Sequence, residues 1–213
     1  MDFLLLAPVL LFSIVVHEVA HAWQARREGD DTAEQLGRIT LNPMKHIDAF
    51  GSVLLPLMLW FADSPMMFGW AKPVPVDPRN FRNLKAGDIR VSLAGIVSNL
   101  ILAVLCTLLS AVLAAIGGDG VVAEAIQRMF LFGILINLVL AFFNLIPIPP
   151  LDGSHVLYQM LPPRAAEGYR KVGRWGFLVI LALVFFFPGA LQTLLTPVTV
   201  LMGAADWFIR LWI

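Results

Sequence analysis

The run from Ile14 to Trp23, I-V-V-H-E-V-A-H-A-W, sets two histidines and a glutamate inside an otherwise apolar stretch. His17, Glu18 and His21 form H-E-x-x-H. On a helix, positions i and i+4 share a face, so both imidazoles can converge on one metal ion while Glu18, rotated away, reaches a water beside it. A catalytic zinc takes three protein ligands and keeps one position open for water, whose pKa falls to around 7. Glu18 would then act as general base toward that water and carry its proton to a leaving amine. The bland alternative is that these side chains only bridge helices by hydrogen bonds, or sit above an apolar core at a membrane interface. Ionisable residues within a membrane helix are costly and tend to be functional, which favours the metal.

A third ligand has to come from a distant part of the chain at the same depth. Residues 144–153, N-L-I-P-I-P-P-L-D-G, offer Asp152, which follows a helix ended by Pro147, Pro149 and Pro150. Broken backbone is tolerated at membrane depth where it lines a cavity or is buried in protein. Gly153 lets the chain turn closely beside such a site. Taken alone, P-P-L-D-G is merely a good turn.

The elements that must position these residues are membrane helices. A chain of 213 residues that is 59% hydrophobic and 14% charged, with mean hydropathy +0.80, lies far outside soluble composition. Its formal net charge of zero gives no electrostatic footprint for nucleic acid. Cys106, the single cysteine, excludes an intramolecular disulfide and a cysteine-rich metal site. Residues 3–23 would span about 31 Å as a helix, against a hydrocarbon core of about 30 Å. With no basic leader region or small-residue cleavage site, they read as a retained first helix. Residues 91–116 and 129–146, the latter extended back toward Val121, are further spans, and 175–187 and 191–213 are a fifth and sixth helix. Segment 50–62 is short, contains Pro56 and lies between Asp48 and Asp63, so it reads as re-entrant or interfacial. G-R-I-T-L-N-P (37–43) and F-G-W-A-K-P-V-P-V (68–76) alternate in character and favour extended strands. The predicted fold is an all-α polytopic membrane protein of five or six membrane helices, with a small β-strand or re-entrant element between the first and the 91–116 helix. It forms a single domain over 1–213, with a core of about 3–160 and C-terminal helices over about 173–213.

Basic residues collect in 26–49, 69–90 and 164–174, whereas 117–124 carries only Asp119 and Glu124. The positive-inside tendency makes the first three cytoplasmic and starts the N-terminus outside. If 50–62 does not cross, the crossing at 91–116 and the return at 129–146 leave His17 and Asp152 on the same side.

H-E-V-A-H at 17–21, with Asn144, Pro147 and Leu151-Asp152-Gly153, resembles the site-2 protease family of intramembrane zinc metalloproteases, whose motifs are H-E-x-x-H and N-x-x-P-x-x-x-L-D-G. Gly95 and Asn99 of A-G-I-V-S-N resemble that family's G-P-x-x-N, with Ile96 where proline is usual. The 37–43, H-I-D-A-F-G-S and 68–76 pieces are similar to small prokaryotic members that lack a PDZ domain. The resemblance covers roughly residues 10–160. It implies one catalytic Zn2+ held by His17, His21 and Asp152, Glu18 as base, and Asn144 helping to hold substrate or the tetrahedral oxyanion, although this amide could equally cap its helix end. It further implies a multi-pass protein of the prokaryotic plasma membrane that cuts a transmembrane protein or peptide substrate in or near its membrane segments, close to the cytoplasmic face. The lipid bilayer is the other partner, and a homo-oligomer or adaptor is left open. A substrate helix must unwind before its backbone can be attacked, and the two extended stretches could receive it as an added strand or could simply shield the metal. The alternatives are a metal-binding or transport membrane protein and a non-proteolytic membrane chaperone on the same scaffold; Glu18 beside two histidines argues against both. His155 is a fourth or transient ligand or a polar neighbour of the turn, and His46 makes a local hydrogen bond. Asp206 and Arg210, at i and i+4, form a helix-surface ion pair.

Overall fold

A computed structural model describes residues 2–61, 71–117 and 120–212 of the chain. The N-terminal run forms helix α1 (Asp2–Glu28), followed by the short α2 (Thr32–Gln35) and α3 (Leu55–Phe61). The two long apolar runs become α4 (Leu84–Ala115) and α5 (Val121–Asn144). Beyond them come α6 (Asp152–Met160), α7 (Pro163–Gly173), α8 (Gly176–Phe186), α9 (Pro188–Leu194) and α10 (Thr196–Arg210). Among the described residues, Leu4–Glu28 of α1, α4 and α5 are long and apolar enough to cross a membrane.

Helix α4 is the centre of the bundle, packing along both α5 and α1. Its interface is built from small residues: Ala103, Ser110 and Ala111 are buried on α4, Ser13 on α1 and Gly133 and Ala141 on α5. Between apolar helices in lipid, such residues let backbones approach closely, and dispersion and hydrogen bonds then hold the pair. A methyl at Gly133 would lie 2.6 Å from Cys106 Sγ, so α4 and α5 already touch there. The outer face of α4, including Ile101, Val104, Leu108 and Val112, is exposed, a surface suited to acyl chains rather than water. Val198 and Ile209 of α10 complete the apolar core with Ala103, Ala111, Ile134 and Leu138.

The number of spans differs from the five or six expected. Among the described residues three helices qualify, or four elements if α8 and α9 count as one, but that pair bends by 103° at Phe187. Pro188 begins a new helix instead of extending the old one. The 191–213 run is likewise divided, between α9 and α10. Helix α4 starts at Leu84, earlier than expected, because Asn83 Oδ1 accepts from Ala86 N (3.0 Å) and caps it.

The β element is also corrected: no strand forms among the described residues. Residues 39–40 bend and Pro43–Lys45 is a 3-10 turn capped by Asn42. Residues 71–77 carry no regular secondary structure, and their backbone groups pair with side chains and single carbonyls. Lys72 N donates to His46 O (2.8 Å), and Arg38 Nη2 donates to Lys72 O (2.9 Å) and Pro73 O (3.3 Å). Pro73 and Pro75 have no N–H to give a ladder. The 68–70 part of the expected strand, residue 62 of the short apolar segment, and Asp63 and Asp119 lie outside the described residues. Segment 49–61 is a π-helical turn (Ala49–Leu54), capped by Asp48 Oδ1, leading into α3. It measures about 20 Å end to end at 1.5 Å per residue, too short to cross as a helix.

Two carboxylates fasten the polar end of α1, Glu28 to α4 and Asp30, just past the helix, to residues 77–80. Arg90 forms a bidentate pair with Glu28, both contacts at 2.7 Å. Asp30 is fully buried: Oδ1 accepts from Thr32 Oγ1 (2.5 Å) and Asn80 Nδ2 (2.9 Å), and Oδ2 from Asp77 N (2.8 Å). Between them Gly29 has φ +115°, and an added Cβ would lie 2.9 Å from Asn80 O. Burial alone would raise the Asp30 carboxyl pKa, but these donors hold it below its usual value. Its stabilisation is therefore complete above the unfolded carboxyl pKa and is lost as pH falls through the lower folded value. At neutral pH, Asp30→Asn should destabilise the protein by about 1–3 kcal/mol, the cost of leaving buried donors unpaired. Thermal unfolding in detergent checks this, and the gap to wild type should narrow as pH drops toward about 3.

Candidate metal centre

His17 and His21 lie one turn apart on α1, 6% and 8% exposed. Their Nε2 atoms are 3.0 Å apart, and Asp152 Oδ2 lies 3.1 Å from His17 Nε2 and 3.4 Å from His21 Nε2. The three side chains that the sequence pairs across 131 positions therefore meet, with their ligand atoms all within 4.8 Å of one another. Asp152 is the first residue of α6, and Gly153 brings it there. A Cβ at 153 would collide with the backbone of Leu145 and Ile146, so only glycine lets α6 start against the end of α5.

The far side of each ring determines what the near side presents. His21 Nδ1 lies 2.8 Å from Val91 O, a carbonyl that only accepts, so in the neutral ring Nδ1 carries the hydrogen and Nε2 a lone pair. His17 Nδ1 lies 2.5 Å from Asn99 Oδ1, with the same consequence. The carboxylate of Asp152 faces both Nε2 atoms. No hydrogen bond reaches its buried Oδ2. With both rings neutral, three electron-pair donors face one another, an arrangement that a cation relieves.

Space is kept for that cation. A methyl built on Gly95 of α4 would lie 2.6 Å from His21 Nε2 and 2.7 Å from His17 Nε2. The two-nitrogen, one-oxygen donor set suits zinc with an open position.

Glu18 is half-buried beside the cluster, and its Oε2 accepts from Val74 N at 2.7 Å. Residues 71–77 are thus fastened at Glu18 as well as at His46 and Arg38. Asn144 is not in the cluster: its Nδ2 donates to Leu140 O (2.9 Å), the carbonyl one turn back on its own helix. His155 is likewise outside the ligand set. Its Nδ1 lies 3.3 Å from Asp88 Oδ1, while Gln159 Nε2 donates to Asp88 Oδ2 (2.7 Å), so Asp88 fastens α6 to α4. That carboxylate outweighs burial and holds the His155 imidazole pKa above its usual value. His46 makes a local bond, as expected, with Nε2 2.9 Å from Thr40 O. Arg210 Nε donates to Asp206 (2.7 Å), the expected surface pair.

Sequence reasoning missed Val91 O, Asp88, the Val74 N–H and a buried amide, Asn137. A carbonyl or an N–H leaves no trace in residue type. Asn137, a lone amide in the apolar run G-I-L-I-N-L-V-L, was open to notice.

A buried bundle that brings two histidines and a carboxylate together beside the glutamate of H-E-x-x-H has the make-up of a membrane metalloprotease. Residues 111–187 match the model of Peptidase family M50. "Putative zinc metalloprotease YwhC" of Bacillus subtilis is 40% identical over 176 residues, covering 82% of this chain and 77% of the relative. "Putative zinc metalloprotease Rip2" of Mycolicibacterium smegmatis is 30% identical over 186 residues, covering 85% of this chain and 67% of the relative. The Rip2 of Mycobacterium tuberculosis strain H37Rv is 32% identical over 178 residues. No solved structure matches. The chain belongs to peptidase family M50, the site-2 proteases, and is a metalloprotease.

Proposed function

We propose that this chain is a zinc-dependent intramembrane endopeptidase that hydrolyses peptide bonds in or near transmembrane segments of membrane proteins. The observation that carries the reading is the convergence of the ligand atoms of His17, His21 and Asp152 beside Glu18, in a bundle with helices of membrane length. Zinc held there would polarise the scissile carbonyl and lower the pKa of water.

The remaining roles belong to the chain itself. His17 and His21 would hold the ion through Nε2, their rings oriented by Asn99 and Val91 O. Asp152 supplies the negative ligand. Glu18 takes a proton from the attacking water and passes it to the leaving amine, while the Val74 N–H holds one carboxylate oxygen in place. Residues 71–77 lie beside this base and are the surface along which an unwound substrate passes. Their acceptor-rich, proline-interrupted backbone favours an extended partner that donates N–H groups. Asn144 would serve the oxyanion after turning its amide away from Leu140 O. Asn144→Ala should then lower kcat about 100-fold with zinc content unchanged; an unchanged kcat assigns the side chain to its helix end.

Basic loops at 26–49, 69–90 and 164–174 support a plasma-membrane orientation with the N-terminus outside and the metal near the cytoplasmic face. The test uses purified protein in liposomes with a reporter that contains one transmembrane segment. Cleavage should stop when zinc is chelated and resume when it is restored. Cleavage that persists in metal-free protein overturns the reading.

A further inference from the structure

A chain of buried hydrogen bonds runs from His17 into the middle of the bundle. His17 Nδ1 meets Asn99 Oδ1 at 2.5 Å, and Asn99 Nδ2 donates to Asn137 Oδ1 at 2.7 Å. Asn137 Nδ2 donates to Gly133 O (2.8 Å) and to Ser13 Oγ (2.9 Å). Asn99 is 0% and Asn137 2% exposed, so water does not substitute for any partner.

Each side chain in the chain has a reversible choice. An amide can present its oxygen or its NH2, and a neutral imidazole can carry its hydrogen on either nitrogen. The far end has no such freedom, because Gly133 O is a backbone carbonyl and only accepts. Asn137 must therefore turn its NH2 toward Gly133, which leaves its oxygen facing Asn99. Asn99 must answer with its NH2, which leaves its own oxygen facing His17. His17 must then carry its hydrogen on Nδ1, and Nε2 keeps the lone pair that faces His21 and Asp152. Run in reverse, the chain would put a hydrogen on Nε2, where the ion has to bind. Asn99 has one other restraint, a long contact of 3.4 Å to Ser13 O, so most of the directing falls to Asn137.

We propose that Asn137 is a positioning residue which, acting through Asn99, selects the His17 tautomer able to bind the metal. This rests on the zinc site proposed above. Outer partners of ligating histidines typically contribute about 10- to 100-fold in metal affinity.

The test is zinc affinity of the full-length protein in detergent, measured by competition with a chelator, for wild type, Asn137→Leu and Asn137→Asp. Asp keeps an oxygen to accept from Asn99, and Leu does not. The expected order is Asp within about threefold of wild type and Leu about 10- to 100-fold weaker. If Asn137 only packs helices together, the order reverses: Leu is harmless in an apolar bundle, and a buried carboxylate is the damaging change. That reversed order, or a Leu variant equal to wild type, overturns the inference. Nitrogen-15 spectra of histidine-labelled, zinc-free protein give a second readout that requires no particular stability of the Asp variant. In wild type His17 Nε2 should be the unprotonated nitrogen, and in Asn137→Leu the two tautomers should mix; an unmixed signal overturns the inference. Wild-type protein that binds no zinc overturns the metal site itself, a different failure.

Discussion

Gly95→Ala should abolish zinc binding and proteolysis while leaving the bundle folded. The added methyl would lie 2.6 Å from His17 Cε1 and His21 Nε2, and 2.7 Å from His17 Nε2. Atoms in ordinary contact sit about 3.5–4.0 Å apart, so something must move by roughly an ångström. The rings cannot retreat cheaply: His17 is tied to Asn99 and His21 to Val91 O, both on the same helix that carries the new methyl. Whatever moves, the three donors no longer surround a common position. Helix propensity works the other way, since alanine is favoured over glycine by about 1 kcal/mol in a helix interior. The variant therefore separates metal loss from unfolding, which most active-site changes confound. Metal analysis and thermal unfolding on the same preparation read both. Gly133→Ala serves as control: its methyl meets the sulfur of Cys106, a side chain that can rotate, and zinc should stay bound. A Gly95→Ala protein that keeps one zinc per chain would remove Gly95 from the site.

The chemistry was legible because it is local. H-E-x-x-H carries its geometry in its spacing, and the L-D-G turn announced a carboxylate at a helix boundary with room for close approach. The remaining parts of the site are partner choices. Val91 O and the Val74 N–H are backbone groups that every residue has, and Asn99 gains its meaning only from Asn137, 38 positions away. The failed strands have a physical cause of the same kind. Alternation at 37–43 and 68–76 predicts what could pair, but in the described part of the second stretch the partners that won were Glu18, Arg38 and His46. At the C-terminus Pro188 made the end of the first run at 187 legible, whereas 191–213 is apolar nearly throughout and composition concealed its division between α9 and α10.

Glu18→Gln should leave zinc in place and reduce cleavage by about 100- to 10,000-fold, the range over which a positioned general base contributes. The prediction is sharp because the structure separates this residue's two jobs. As an acceptor, Glu18 Oε2 receives the Val74 N–H at 2.7 Å and helps hold residues 71–77 over the site. As a base, it needs a carboxylate that can gain and lose a proton. Glutamine has nearly the same shape and keeps an amide oxygen to accept from Val74, so the loop should stay docked and the unfolding temperature should match wild type. Its NH2 cannot take a proton from water at neutral pH, so only the chemistry is removed. Glu18→Ala removes both jobs, and the difference between the two variants in KM and stability measures what the Val74 contact adds. A metal transporter or a membrane chaperone built on this scaffold would lose neither transport nor chaperone activity on Glu18→Gln. Full cleavage by zinc-loaded Glu18→Gln protein would mean that another group takes the proton, and the role assigned to this residue would fall.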